Sequence, residues 1–238
     1  MKKILITGAR GNIGYEVTRE LCTLGMAQDI VAADYRPEHT RQALADLGHI
    51  SCRKLDFTDP ATFDNALEGM DLVFLLRPPN LADVPRYFTP FIDAMQRKQV
   101  HRIVFLSVQG AEHQKRIPHH KIEQLILERG LEYTFLRPSY FMQNLTTTLL
   151  KEIREEDRIY IPAGRLRMTW VDAQDVGRVG AQVLHDFQQH RNRSYEITGT
   201  EVMGFAAVAS LLSEKTNRPI TYTSPNLIRF YLHKRKQG

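Results

Sequence analysis

The strongest constraint in this chain lies at its start, where the short run Lys3-Ile4-Leu5-Ile6-Thr7 breaks into Gly8-Ala9-Arg10-Gly11-Asn12-Ile13-Gly14. Apolar residues then recur at helical spacing (Ile13, Val17, Leu21, Leu24) until Gly25 stops the pattern. A strand that enters a helix through such glycines is suited to holding phosphates. Gly8 permits a tight turn, Gly11 lets the backbone approach a pyrophosphate, and Gly14 lets the helix pack close on the strand. The helix start presents free N–H groups and a partial positive charge. Arg10 and Asn12 stand where their side chains add contacts, and Ile13 opens the helix. The spacing alone is weak, since ordinary strand–helix turns use the same glycines. Its place, directly after the first strand, carries the reading.

Asp34 follows about 20 residues beyond Gly14, at the end of a second apolar run, Ile30-Val31-Ala32-Ala33. A carboxylate there accepts hydrogen bonds from an adenosine ribose and repels a 2′-phosphate. Two charges about 4 Å apart interact by roughly 1–4 kcal/mol across the plausible local dielectric range. Arg36 offers the opposite preference. The cofactor expected is NAD or NADP, with NAD slightly favoured. Asp56 and Phe57, after the third strand, are candidates for the adenine amino group and ring edge, against the plainer reading of a strand-end turn.

The rest of the first 140 residues keeps the same rhythm. Strands are expected at His49–Leu55, Asp71–Leu76, Arg102–Ser107 and Tyr133–Arg137, and helices at Pro37–Leu47, Val84–Gln99 and Pro118–Arg129. Asp59-Pro60 opens another helix with an N-cap acid and a first-turn proline. Continuously apolar strands separated by helices point to parallel βαβ units covered on both faces. The fold class is therefore α/β, a Rossmann-type doubly wound parallel sheet with a smaller C-terminal α/β lobe. We expect residues 1–140 to form the dinucleotide-binding domain, and residues 141–238 a substrate-side lobe interleaved with the sheet. In that lobe the patterns give helices at Leu145–Glu155, Asp172–Phe187 and Phe205–Thr216, with strands at Arg158–Pro162, Arg167–Val171 and Tyr195–Thr198 and an extended Ile220–Thr223.

Composition excludes several alternatives. No apolar run approaches the roughly 20 residues of a membrane span, and the apolar start is shorter than a secretion signal needs. Cys22 and Cys52 lack metal spacing and read as free thiols of a cytoplasmic protein. Most of the net charge of +5 sits in Arg229, Lys234, Arg235 and Lys236, a solvated helix end rather than a nucleic-acid footprint. Asp172 and Asp175 read as helix-capping acids, and no metal site is expected.

These features resemble the NmrA-like family of atypical short-chain dehydrogenases/reductases. The matching phrases are Thr7–Gly14, Ala66–Asp71, Ser107-Val108-Gln109-Gly110-Ala111, Leu136–Asn144 and Trp170–Gly177, spread along most of the chain. The resemblance implies binding of NAD or NADP. It places Gly8, Arg10, Gly11, Asn12 and Ile13 at the phosphates, Asp34, Tyr35 and Arg36 at the ribose, and Asp56 and Phe57 at the adenine. Leu75, Leu76 and Arg77 fall beside the inner ribose, Ser107 and Lys121 near the nicotinamide ribose, and Pro138, Tyr140 and Phe141 beside the nicotinamide. Family members are usually longer at the carboxyl end, which implies a second lobe that is truncated or completed by a partner chain.

One departure bears on chemistry. Ordinary short-chain dehydrogenases use Tyr-x-x-x-Lys, the tyrosine acting as proton donor. Lys121 fits the lysine, but Ile117 stands four residues earlier, and an aliphatic side chain transfers no proton. The catalytic candidates left are Lys121, His120 beside His119, and Tyr140. Each has a plain alternative: a solvent-facing lysine, histidines at a helix start, an aromatic in a core. The reading leans to an NAD(P)H-dependent reductase of a small flat electrophile such as a quinone, where the cofactor carries the difficult chemistry. The alternative is a dinucleotide-sensing regulator without turnover, acting through a protein partner or homodimer.

Overall fold

The computed structural model describes residues 2–237. In chain order the first strands and helices are β1 (Ile4–Thr7), α1 (Asn12–Thr23), β2 (Ile30–Asp34), α2 (Pro37–Ala43), β3 (Ser51–Lys54), α3 (Phe63–Leu67) and β4 (Leu72–Leu75). They are followed by α4 (Val84–Tyr87), α5 (Thr89–Arg97), β5 (Arg102–Leu106), α6 (Pro118–Glu128) and β6 (Glu132–Pro138). Then come β7 (Tyr140–Phe141), α7 (Leu150–Glu155), β8 (Arg158–Tyr160), β9 (Arg167–Val171), α8 (Ala173–His185), α9 (Phe187–His190) and β10 (Arg193–Ile197). The last are β11 (Val202–Gly204), α10 (Phe205–Thr216), β12 (Thr221–Thr223) and α11 (Leu227–Gln237).

Two compact units result. The first holds Met1–Pro138 and Ala173–Ile197, the second Ser139–Asp172 and Thr198–Gly238. The first unit is built on a seven-stranded sheet in the order β10-β6-β5-β4-β1-β2-β3, with parallel pairing throughout. It is a Rossmann-type doubly wound sheet. The order turns at β1, which pairs with β2 on one side and β4 on the other. Dinucleotides bind beyond the carboxyl ends of strands at such a reversal.

The strands are uniformly apolar because both faces are covered. Every residue of β1 and β4 is buried. On one face α5 and α6 pack Phe88, Phe91, Ile92, Met95, Ile122 and Ile126 onto Leu5, Val73, Ile103 and Phe105. Each such side chain contributes about 1.5–3 kcal/mol on full burial. Against the other face α1 and α8 meet so closely that a Cβ on Gly177 would lie 2.5 Å from the Glu16 Cβ, and one on Gly180 2.9 Å from Val17. Glycine at both positions is what allows the two helices to approach.

Some element boundaries differ from the sequence patterns. The helix expected over Val84–Gln99 is interrupted at Phe88, because Pro90 has no N–H to donate into the preceding turn. The helix expected from Leu145 begins only at Leu150. Thr146 and Thr147 turn their hydroxyls back onto the Gln143 carbonyl, at 3.1 and 2.8 Å, and compete with helical bonding.

The second unit carries its own core. Trp170 packs edge-on between Tyr140 and Phe205, at 4.9 and 5.3 Å, and its indole N–H donates to the Met203 carbonyl. Gly199 lies against the Trp170 carbonyl so closely that any Cβ there would overlap it. No helix among the described residues is long and apolar enough to cross a membrane.

Candidate functional site

The carboxyl end of β1 runs into a tight glycine turn that leads to α1. Gly8 has φ +61°, its N–H donates to the Ala33 carbonyl at 3.1 Å, and its own carbonyl accepts from Gly11 N–H at 3.0 Å. A Cβ on Gly14 would stand 2.3 Å from the Gly8 oxygen and 2.7 Å from the Ala9 Cα, both backbone atoms that cannot yield. Glycine is therefore required at Gly14 for the loop to fold onto its helix. Gly11 is the N-cap of α1, and neither a side-chain cap nor a first-turn acid serves the helix start. Its amides stay available to an anion. Ile13 is buried, while Arg10 and Asn12 are exposed at the rim.

Next to it, β2 ends in Asp34, whose carboxylate is largely committed. Its Oδ2 accepts from Arg10 Nε at 3.2 Å, and its Oδ1 from the Arg36 backbone N–H at 3.0 Å. The attraction of Asp34 is the first cause of a raised Arg10 pKa, followed by their hydrogen bond. Exposed Tyr35 carries a guanidinium on either count, Arg10 at 5.4 Å and Arg36 at 5.1 Å from the ring centroid. The slight NAD preference rests on a free Asp34, and its bonds to the Arg10 side chain and the Arg36 backbone N–H remove that premise.

The adenine candidates are occupied in part. Asp56 Oδ1 accepts from both the N–H and the hydroxyl of Thr58, at 2.8 and 2.7 Å. The Phe57 ring is 6 % exposed and packs on Phe88 and Phe91 at 5.0 and 5.2 Å. Its ring belongs to the core of the sheet unit, and the exposed groups of this turn are polar.

Beyond β4, Leu75 is buried, and Leu76 is tied to β1 through Thr7, whose hydroxyl accepts from Leu76 N–H at 2.8 Å. Arg77 leaves that edge toward α6. Its Nη1 donates to the carbonyls of Pro78, Pro79 and Leu81 at 2.9, 3.0 and 3.1 Å, and its Nε to His119 Nε2 at 3.4 Å. Burial draws the Arg77 pKa down. His119 stacks on Phe105 at 6.1 Å. Burial, then the neighbouring Arg77 charge, lowers its pKa to about 4, so the ring is neutral at physiological pH.

At the end of β5, Ser107 is 2 % exposed, and its hydroxyl finds no partner among the described residues. An orphaned buried hydroxyl costs about 1–3 kcal/mol, a cost a ribose hydroxyl would relieve. Lys121 is exposed on α6. Ile117 is the N-cap residue of that helix, with extended backbone, and its carbonyl accepts from Lys121 N–H at 3.4 Å, so the position of the usual tyrosine falls at the helix boundary. His120 Nδ1 lies 2.9 Å from the Ala111 carbonyl, which ties it to the preceding turn. Pro138 is buried at the end of β6. Tyr140 and Phe141 belong to the second unit, where burial raises the Tyr140 pKa against a smaller opposing effect of its hydrogen bond with Asn144.

Two features gave little sign in the sequence. His119, rather than His120, is the histidine in contact with Arg77. Arg137 makes a two-pronged bond to buried Glu123, at 3.0 and 2.8 Å, and pairs with Glu112 at 2.9 Å. This ties β6 to the helix that carries His119 and Lys121. Asp172 accepts from Gln143 Nε2 at 2.9 Å and Asp175 pairs with Arg178 at 2.9 Å. Among the described residues no cluster of three His, Cys, Asp or Glu is placed to hold a metal.

Comparison with known proteins agrees with this architecture. The NmrA-like family model matches residues 1–230. The prestalk A differentiation protein A of Dictyostelium discoideum is 30 % identical over 219 residues, 92 % of this chain and 71 % of that protein. The NAD(P)H azoreductase of Xenophilus azovorans is 30 % identical over 233 residues, 94 % of this chain and 77 % of its own. In structure, the NADPH-dependent quinone oxidoreductase of Escherichia coli complexed with NADPH superposes with a TM-score of 0.84 at 24 % identity, covering 99 % of this chain and 83 % of that one. That last likeness is one of fold.

Proposed function

This chain belongs to the NmrA-like family, and on that premise we propose that it is an NAD(P)H-dependent reductase of a small flat electrophile such as a quinone. The observation that carries the reading is the contact forced between Gly14 and Gly8, which shapes an amide-lined cradle at the strand reversal. The azoreductase relative, similar along most of both chains, supports the same reaction class.

The cradle residues Gly8, Arg10, Gly11, Asn12, Ile13 and Gly14 would hold the pyrophosphate. Arg10, Tyr35 and Arg36 would receive the far end of the dinucleotide. With Asp34 already paired, two guanidinium groups meet whatever the ribose carries, and a 2′-phosphate is the better match. NADPH is accordingly the proposed reductant. Asp56 would reach the adenine, and Leu75, Leu76 and Pro138 would frame the inner ribose and nicotinamide. Ser107 and Lys121 would hold the nicotinamide ribose through hydroxyl and ammonium.

When bound, the dinucleotide supplies a hydride, which with one proton converts a quinone to a hydroquinone and leaves the oxidised dinucleotide. Lys121 is exposed to solvent and is the residue proposed to deliver that proton. His119 is neutral and acts by orientation. A quinone asks little of a proton donor, which suits a chain with the aliphatic Ile117 at the N-cap of α6.

Oxidation of NADPH and NADH against a panel of quinones and azo dyes tests this. Turnover with at least one acceptor is expected. Tight NADPH binding with no turnover on any acceptor would replace the reductase with a dinucleotide-responsive regulator, the reading that Ile117 favours.

A further inference from the structure

Arg77 is a half-buried cation that pairs with no carboxylate among the described residues. No acid contributes to its electrostatics, and burial alone shifts it. Its guanidinium is also held still. Three backbone carbonyls of the Pro78–Leu81 turn take Nη1, and His119 takes Nε. Pro78 and Pro79 have fixed φ angles, which stiffens the turn whose carbonyls accept from the arginine. Nη2 carries two further N–H donors, and among the described residues none of them has an acceptor. A desolvated, fixed guanidinium with one open edge is built for an oxyanion.

Its place in the sheet says which anion. The order β2-β1-β4-β5 puts Arg77, which follows β4, on the opposite side of β1 from Arg36, which follows β2 and toward which the Arg10 side chain reaches through Asp34. The phosphates of the dinucleotide are accounted for at β1, and its 2′ end at β2. The Arg77 side chain runs away from both, toward Phe105 and α6, the side of Ser107 and Lys121. The nicotinamide end of the cofactor brings no anion there. We propose that Arg77 is a substrate-recognition residue, selecting electrophiles that carry a carboxylate or sulfonate beside the reducible group. The proposal rests on the reductase reading for its substrate, though not for its anion site.

The test compares a matched pair, 1,2-naphthoquinone and 1,2-naphthoquinone-4-sulfonate, with NADPH as reductant. Arg77→Gln is expected to raise KM for the sulfonate about tenfold more than for the neutral quinone, with Arg77→Lys recovering part of the difference. Each variant is its own folding control, since both quinones meet the same protein. Equal losses on the two quinones would overturn the proposal. So would a parallel fall in NADPH affinity by fluorescence titration, which would assign the guanidinium to the cofactor's phosphates. If no quinone is reduced, calorimetry on the NADP-loaded wild type separates the two ideas. Naphthalene-2-sulfonate binding about tenfold tighter than naphthalene-2-sulfonamide sustains the anion site while the reductase reading fails. Equal binding removes the site.

Discussion

Arg10 Nε lies 3.2 Å from Asp34 Oδ2, so the phosphate loop and the end of β2 share one charge pair. The acid that would discriminate against a 2′-phosphate is neutralised by the loop it faces. Replacing Arg10 with alanine frees that carboxylate and removes one phosphate donor. A charge-assisted hydrogen bond is worth about 1.5–3 kcal/mol, so Arg10→Ala should weaken NADPH about tenfold or more and NADH much less. Titrating both cofactors against Arg10→Ala and Arg36→Ala checks this, and an unchanged NADPH-to-NADH ratio would contradict it.

Gly14→Ala places a methyl where Gly8 and Ala9 already have backbone. The loop must lift from the helix to admit it. Overpacking of this kind costs about 1–3 kcal/mol of stability, and the displaced amides no longer converge. We expect a lower Tm together with loss of measurable binding for either cofactor. Retained affinity in Gly14→Ala would show that the phosphates rest elsewhere.

The neutral state of His119 links stability to pH. Its pKa is about 4 in the fold against an ordinary 6.5. Between these values the unfolded chain binds more protons than the folded one, so stability declines as pH falls from 6.5 toward 4. Above 6.5 this group has no effect. His119→Gln should flatten that part of the profile, and thermal melts at pH 7 and pH 5 on both proteins provide the comparison. An equal drop in wild type and variant would mean that other groups govern the acid limb.

Glu123 and Arg137 form a buried pair whose members have 2 % and 13 % side-chain exposure. Removing Arg137 strands Glu123, at a cost of about 3–5 kcal/mol for such pairs, whereas removing Glu123 leaves Arg137 its bond to Glu112. Arg137→Met should therefore destabilise strongly, and a Glu123→Met/Arg137→Met double variant should recover part of the loss. Chemical denaturation of the two variants beside the wild type decides the matter. If the single variant melts like the wild type, the tie between β6 and α6 is not structural.

Local chemistry explains what the chain revealed in advance. The glycine turn, the acid after β2 and the apolar strands are contiguous in sequence, so each could be recognised from a few neighbouring residues. Helix Phe205–Thr216 was legible for the same reason, as an apolar stretch with clean ends. The states of Asp34 and Phe57 were not, because both depend on partners far along the chain. Arg10 reaches Asp34 through the loop, and Phe57 meets Phe88 and Phe91 only after the sheet has formed. His119 and His120 are adjacent and chemically alike. Only the helical rotation between them decides which faces Arg77 and which the Ala111 carbonyl.

The close seat of Gly177 and Gly180 against α1 also sets a schedule for biosynthesis. The helix at whose amino end the dinucleotide is proposed to sit rests on residues made long after it, following the excursion through Ser139–Asp172. A nascent chain ending at Pro138 exposes the flank of α1 and leaves β6 without β10 beside it. Such an unpaired strand edge invites aggregation. Capture of the proposed dinucleotide by the growing polypeptide must therefore await the emergence of α8 and β10 from the ribosome, and nonsense products cut short before α8 should be cleared rather than accumulate as working binding modules.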